Sequence, residues 1–124
     1  MCGKVISNDF DPKQPWFTEN GSFWTNSTTK LFESNKDNND LGETRMCHQS
    51  GYESVALIPL KSSGRTLGLI QLNDPRKNKF SLKMITNYEH IADLIGGVIS
   101  DTFEISEKMK EISELIKKFE SAKN

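Results

Sequence analysis

Cysteine is scarce: Cys2 and Cys47 are the only two in 124 residues, and they stand 45 positions apart. A disulfide framework in a small secreted domain uses more. There is no CxxC pair and no CxxCH run, so neither a zinc knuckle nor standard c-type haem attachment is available. Both cysteines read as free thiols in a reducing cytoplasm. No apolar run approaches the roughly 18 residues of a membrane span, and the first residues do not read as a signal peptide. The expectation is a soluble, cytoplasmic protein without a membrane partner. Neither sign of charge dominates: residues 1–62 carry six Lys/Arg against eight Asp/Glu, and residues 63–124 carry ten against nine. That balance gives no electrostatic reason to expect nucleic acid as a partner.

What is present falls into three zones. Residues 1–33 hold a group of aromatics, Phe10, Trp16, Phe17, Phe23, Trp24 and Phe32. Residues 34–51, "SNKDNNDLGETRMCHQSG", have almost no apolar side chains to offset their ordering entropy, which predicts a mobile loop. Residues 52–124 are strongly patterned. The length suits one domain.

Two apolar, partly β-branched runs, Tyr52 to Leu60 and Arg65 to Asn73, flank "KSSG" and predict an antiparallel hairpin, with Gly64 at positive φ. Pro59 has no amide to donate, so it should face an edge or a bulge. In the first zone, "GSFWTN" reads as a short strand. "NSTTKLFES" reads as a short helix capped by Asn26 or Ser27. "CGKVIS" is either a short strand or a first helical turn.

A long helix is predicted from Ser81 as N-cap, with Phe80 and Ile85 as a hydrophobic staple. Tyr88, Ile91, Ile95, Val98, Thr102, Ile105, Met109, Ile112, Ile116 and Phe119 recur at alternating steps of three and four. That 3.5-residue period is the seam of a coiled coil. From Leu82 to Ile99 the helix is apolar on more than one face, as expected when it packs on a sheet and on a partner together. From Thr102 onward little but the seam is apolar, which points to pairing with a second copy. The chain divides as a globular part, residues 1–101, and a coiled-coil helix, residues 102–124.

The segments "GYESVALIPLKSSGRTLGLIQLND" and "FSLKMITNYEHIADLIGGVI" resemble the C-terminal half of a GAF domain. "CGKVISNDFDPKQPWFTENGSFWTNST" is similar to the middle of GAF domains that accompany PAS domains in sensor histidine kinases. The resemblance implies an α+β fold: an antiparallel sheet, packed helices and a long C-terminal signalling helix. It implies a non-catalytic sensor module, homodimeric through that helix, within a parent protein that carries a kinase output domain. The family has roughly 40 to 60 further residues ahead of this region, so the resemblance also implies an N-terminally truncated sheet with an exposed edge.

The stretch "MCHQSGYES" places Cys47 beside His48 just before the first hairpin strand. It is either an ordinary turn or one wall of a cofactor site. By resemblance to haem-binding redox-sensor kinases of methanogens, Cys2 is a covalent attachment residue for haem and His48 its proximal iron ligand. Tyr52 lines the same site. A neutral imidazole is a good axial ligand. Trp16, Phe17, Phe23, Trp24, Val55, Leu57 and Leu69 could wall an apolar pocket, with Lys4, Arg45 or Arg65 near the propionates. Two alternatives stand beside haem: a GAF module for dimerisation or another small ligand, and thiol redox sensing by Cys47 with Cys2.

Overall fold

The computed structural model describes residues 1–37, 41 and 44–122. The elements in chain order are α1 (Cys2–Ser7), β1 (Phe23–Thr25), α2 (Thr28–Ser34), α3 (Arg45–Gln49), β2 (Ser54–Ser62), β3 (Arg65–Asp74) and α4 (Leu82–Ala122). The fold is α+β: a three-stranded antiparallel sheet in the order β1-β2-β3, with helices and one long C-terminal helix. The "CGKVIS" ambiguity resolves as helix. Part of the expected 34–51 loop is ordered: α3 forms within it, and Leu41 and Thr44 are buried. The rest of that expectation falls on residues 38–40, 42 and 43, outside the described residues.

The β2–β3 connection is tighter than "KSSG" suggests. Ser62 pairs with Arg65, leaving Ser63 and Gly64 alone at the tip, both at positive φ (51° and 76°). Two successive left-handed residues match the twist of the strands they join. Pro59 lies beyond the part of β2 that β1 pairs, Val55 to Leu57, and next to a register shift at Leu60/Lys61. A missing amide is harmless there. On its other side β1 is bridged by the chain that precedes it. Trp24 N–H donates to the Trp16 carbonyl (2.9 Å) and Thr18 N–H to the Ser22 carbonyl (2.9 Å), with Gly21 closing the turn at φ 91°.

β2 is buried from Ser54 to Pro59 because both of its faces are covered. Val55 and Leu57 join Met1, Val5, Trp16, Phe23 and Leu41 in one cluster beneath α1. The alternate residues Ala56 and Ile58 face α4, which buries Ile85, Glu89, Ala92 and Gly96 along one stripe. Gly96 is where helix and strand cross: a Cβ there would collide with the Lys61 carbonyl. The close neighbour of this glycine is thus a strand of its own chain. Ser81 caps α4, its Oγ accepting from Met84 N–H (3.2 Å).

α4 runs without a break across the expected 101/102 boundary, and every residue from Asp101 to Ala122 is exposed. That leaves about 30 Å of helix projecting past the domain. The seam residues Ile91, Ile95, Val98, Ile105, Met109, Ile112, Ile116 and Phe119 are all exposed.

Candidate functional site

Two of the three sequence-predicted residues, His48 and Tyr52, meet where α2, α3 and the start of β2 come together. Thr28, the first residue of α2, is fully buried. Its hydroxyl donates to the Tyr52 carbonyl at 2.7 Å and lies 3.0 Å from His48 Nδ1. A threonine has one hydroxyl proton, and the Tyr52 carbonyl takes it. Nδ1 must therefore donate to Oγ1, so Nδ1 holds a proton and the neutral ring presents Nε2 as a bare acceptor. Tyr52 thus acts through its main chain as well as through its ring, which packs on the core cluster. Phe32 lies beside the imidazole (ring centroids 5.4 Å apart), with the Arg45 guanidinium 5.9 Å above the Phe32 ring. His48 lines a cleft of about 320 Å³ with Thr29, Phe32, Glu33, Lys36 and Arg45.

Cys2 does not line that cleft. It packs on the core cluster from α1, and Cys47 packs on the same cluster from α3. Burial pushes the Cys47 thiol up, and the nearby Cys2 adds to the rise. The chain N-terminus and a hydrogen bond from Gln71 Nε2 (3.6 Å) oppose it. Both cysteines are free thiols. Of the three basic residues expected near propionates, Arg45 shares the cleft with His48. Lys4 lines a different cleft, with Asp9, Phe10 and Trp16, and Arg65 stands at the hairpin tip.

As a haem site, the donor chemistry fits at His48: Thr28 holds Nδ1, and the neutral form of the ring leaves Nε2 as the ligating nitrogen, as in oriented metal-ligating histidines. Among the described residues no group of three or more His, Cys, Asp or Glu could hold a metal ion. Most of the side chains expected to wall a pocket instead pack into the core, while Trp16 and Trp24 also line a cleft. Trp16, Phe23, Val55 and Leu57 are buried together, with Phe17, Leu69 and Tyr52 packed against them.

Two further constellations were not anticipated. Glu89 is buried on α4, and its Oε2 accepts from Ser22 Oγ (2.7 Å) and Thr18 Oγ1 (2.9 Å). Its spacing was a usable signal: Glu89 follows Ile85 by four and precedes Ala92 by three, so a carboxylate sits in the buried stripe. The second is a cleft beside Trp16, between the 14–16 segment, β1, α2 and the loop leading to α4. Its lining comes from four separated segments, and no local spacing announces it. His90, by contrast, is exposed on α4.

No protein-family model matches the chain, and no curated protein matches it. Among solved structures it is similar to a crystal structure of a domain described as part of a two-component sensor histidine kinase protein from Sinorhizobium meliloti 1021. The two share 18% identity at a TM-score of 0.55, over 87% of this chain and 70% of that one. The α+β fold is shared. Among the described residues no helix is long and apolar enough to cross a membrane.

Proposed function

We propose that this chain is a signal-sensing module of a two-component kinase, working as a homodimer joined along α4 and passing its signal to a kinase output domain. The observation that carries this is the apolar seam from Ile91 to Ile116, whose large side chains Ile91, Ile95, Val98, Ile105, Met109, Ile112 and Ile116 are all exposed. Most helical stability in proteins comes from packing an amphipathic face rather than from propensity, and the seam has the period that two copies bury best. The shared fold with a domain of a described sensor kinase supports the same reading. Sedimentation of the purified chain is expected to give a dimer, with Ile105→Lys and Ile112→Lys giving monomers that lose helix content. A wild-type chain that stays monomeric at high micromolar concentration overturns the proposal.

At the sensing end, haem is the specific ligand we propose, with His48 as axial donor, Cys2 as covalent anchor and Tyr52 beside it. What supports it is the bare Nε2 set by Thr28 and Tyr52. Haem would supply a redox-active iron. The chain's part is to hold the imidazole: α3 runs from Arg45 to Gln49, and β2, on which α4 packs, starts at Ser54. A ligand that binds two arrangements of α3 with different affinity shifts the equilibrium between them. Titration with haemin is expected to give a Soret band that is lost in His48→Ala. Acid-acetone should extract the pigment only from Cys2→Ala. No saturable band, or one unchanged in His48→Ala, would sink the haem assignment and leave dimerisation or another ligand.

A further inference from the structure

Trp16 is almost fully buried, and its indole Nε1–H has no hydrogen-bond partner among the described residues. A buried donor without an acceptor is costly and uncommon in native folds. The same side chain forms a wall of a cleft of about 410 Å³, within the usual range for small-molecule sites. A second hollow of about 270 Å³, sharing Pro15, Trp16, Thr25, Asn26 and Leu31, extends it to Trp24. The walls are fixed rather than incidental. The Asn26 amide donates to the Phe80 carbonyl and accepts from Phe80 N–H, each at 2.9 Å, and Asn78 N–H donates to the Asn26 carbonyl (3.1 Å).

The lining has a definite character. Pro15, Leu31 and the indoles are apolar. Lys30 and Lys77 bring two cations, and no Asp or Glu is among the described lining residues. Lys77 also faces Glu53, which sits behind Ser27 and Thr29 and shares part of its charge. We infer that this cleft binds a small organic carboxylate with an apolar body, its oxygens meeting Lys30, Lys77 and the Trp16 indole N–H. The N–H is screened from solvent as the structure stands, so an acceptor reaches it only as the wall yields. Binding and rearrangement are therefore coupled. Lys77 and Asn78 lie four or five residues before Leu82, the first residue of α4. The site abuts the joint between sheet and helix. Its regulatory meaning rests on the sensor reading; its occupancy does not.

The test uses phenylacetate as probe, with 2-phenylethanol and inorganic phosphate as its uncharged and body-less counterparts. Expected is a saturable change in tryptophan emission with phenylacetate alone, and a downfield move of the Trp16 indole N–H in proton–nitrogen spectra. By calorimetry, Trp16→Phe should weaken binding about tenfold, the loss of one hydrogen bond. The exposed Lys30→Ala, which leaves the fold intact, should weaken it at least threefold. No saturable response to phenylacetate at millimolar concentration overturns the proposal. So does an equal response to 2-phenylethanol or to phosphate, or full affinity in Lys30→Ala. Sedimentation of the same samples separates the readings: a dimer that ignores phenylacetate loses this site and keeps the relay, while a monomer that binds it does the reverse.

Discussion

Gly96 of α4 lies directly against the Lys61 carbonyl of β2, with no room for a methyl group between them. The neighbouring Gly97 has nothing within 4 Å of where its Cβ would stand. Two adjacent glycines therefore have opposite roles. Gly96→Ala forces helix and strand apart at a backbone atom that cannot step aside, and should cost about 1–3 kcal/mol. Gly97→Ala should be neutral or stabilising by up to about 1 kcal/mol through helix propensity. Paired denaturant unfolding curves check both values.

The Glu89 carboxylate ties α4 to the turn that precedes β1. Glu89→Ala leaves the buried Ser22 hydroxyl and the Thr18 hydroxyl without their acceptor, at a cost of about 1–3 kcal/mol. Glu89→Gln keeps an acceptor oxygen and should lose clearly less. Hydrogen exchange is the discriminating measurement. Amides of residues 18–22 and of the first turns of α4 should lose protection together in the alanine variant.

Thr28→Val keeps the shape of the side chain and removes the hydroxyl between Tyr52 and His48. The buried Tyr52 carbonyl loses its donor, at about 1–3 kcal/mol. His48 Nδ1 loses its acceptor, so the ring should change from a single Nδ1–H form to a mixture of tautomers. Nitrogen chemical shifts of the imidazole read that change directly, and an unchanged ring would refute the assignment of Nε2 as acceptor.

Acid should weaken the fold through Glu53. Burial pushes this carboxyl up, but donors from the Thr29 side chain and main chain and from Ser27 outweigh it together, and Lys77 adds to them. The net direction is down. A carboxyl whose folded pKa is depressed stabilises the fold above its unfolded value and loses that stabilisation as pH falls through the folded one. Unfolding midpoints should thus decline below about pH 4.5, and Glu53→Gln should flatten the decline. Asp74, held at about 2 by the Arg76 guanidinium and main-chain N–H, is only partly exposed; it marks a local turn.

Cys47 should be a slow thiol. Its pKa is raised by burial and then by Cys2, so little thiolate is present at neutral pH. Alkylation by iodoacetamide is expected to stay slow at pH 7 and accelerate only above about pH 9. Fast labelling at pH 7, mapped to Cys47 by mass spectrometry, would contradict it.

Wherever one face of a chain segment repeats, the sequence was legible. The hairpin, the cap at Ser27 and the start of α4 at Ser81 follow from local spacing and turn chemistry. α3 was hidden because its five residues, "RMCHQ", bury nothing; two flanking residues, Leu41 and Thr44, enter the core instead. The aromatic-rich first zone showed that something apolar is built there, yet not whether it is hollow. Packing of Met1 and Val5 at α1 and of Leu41 from beyond α2 decides that the part around Phe23 is solid. His48 was found by its neighbours in sequence. Its tautomer needed Thr28, twenty residues earlier. The Trp16 cleft needed four segments at once.

Because α4 is one unbroken rod of 41 residues, whatever tilts its anchored third is magnified at the free end. A swing of ten degrees at the crossing over β2, over about 30 Å of overhang, carries the tip roughly 5 Å, close to one helical pitch. A domain of this size thus needs only a slight shift at its sheet to present a different register to whatever grips Phe119.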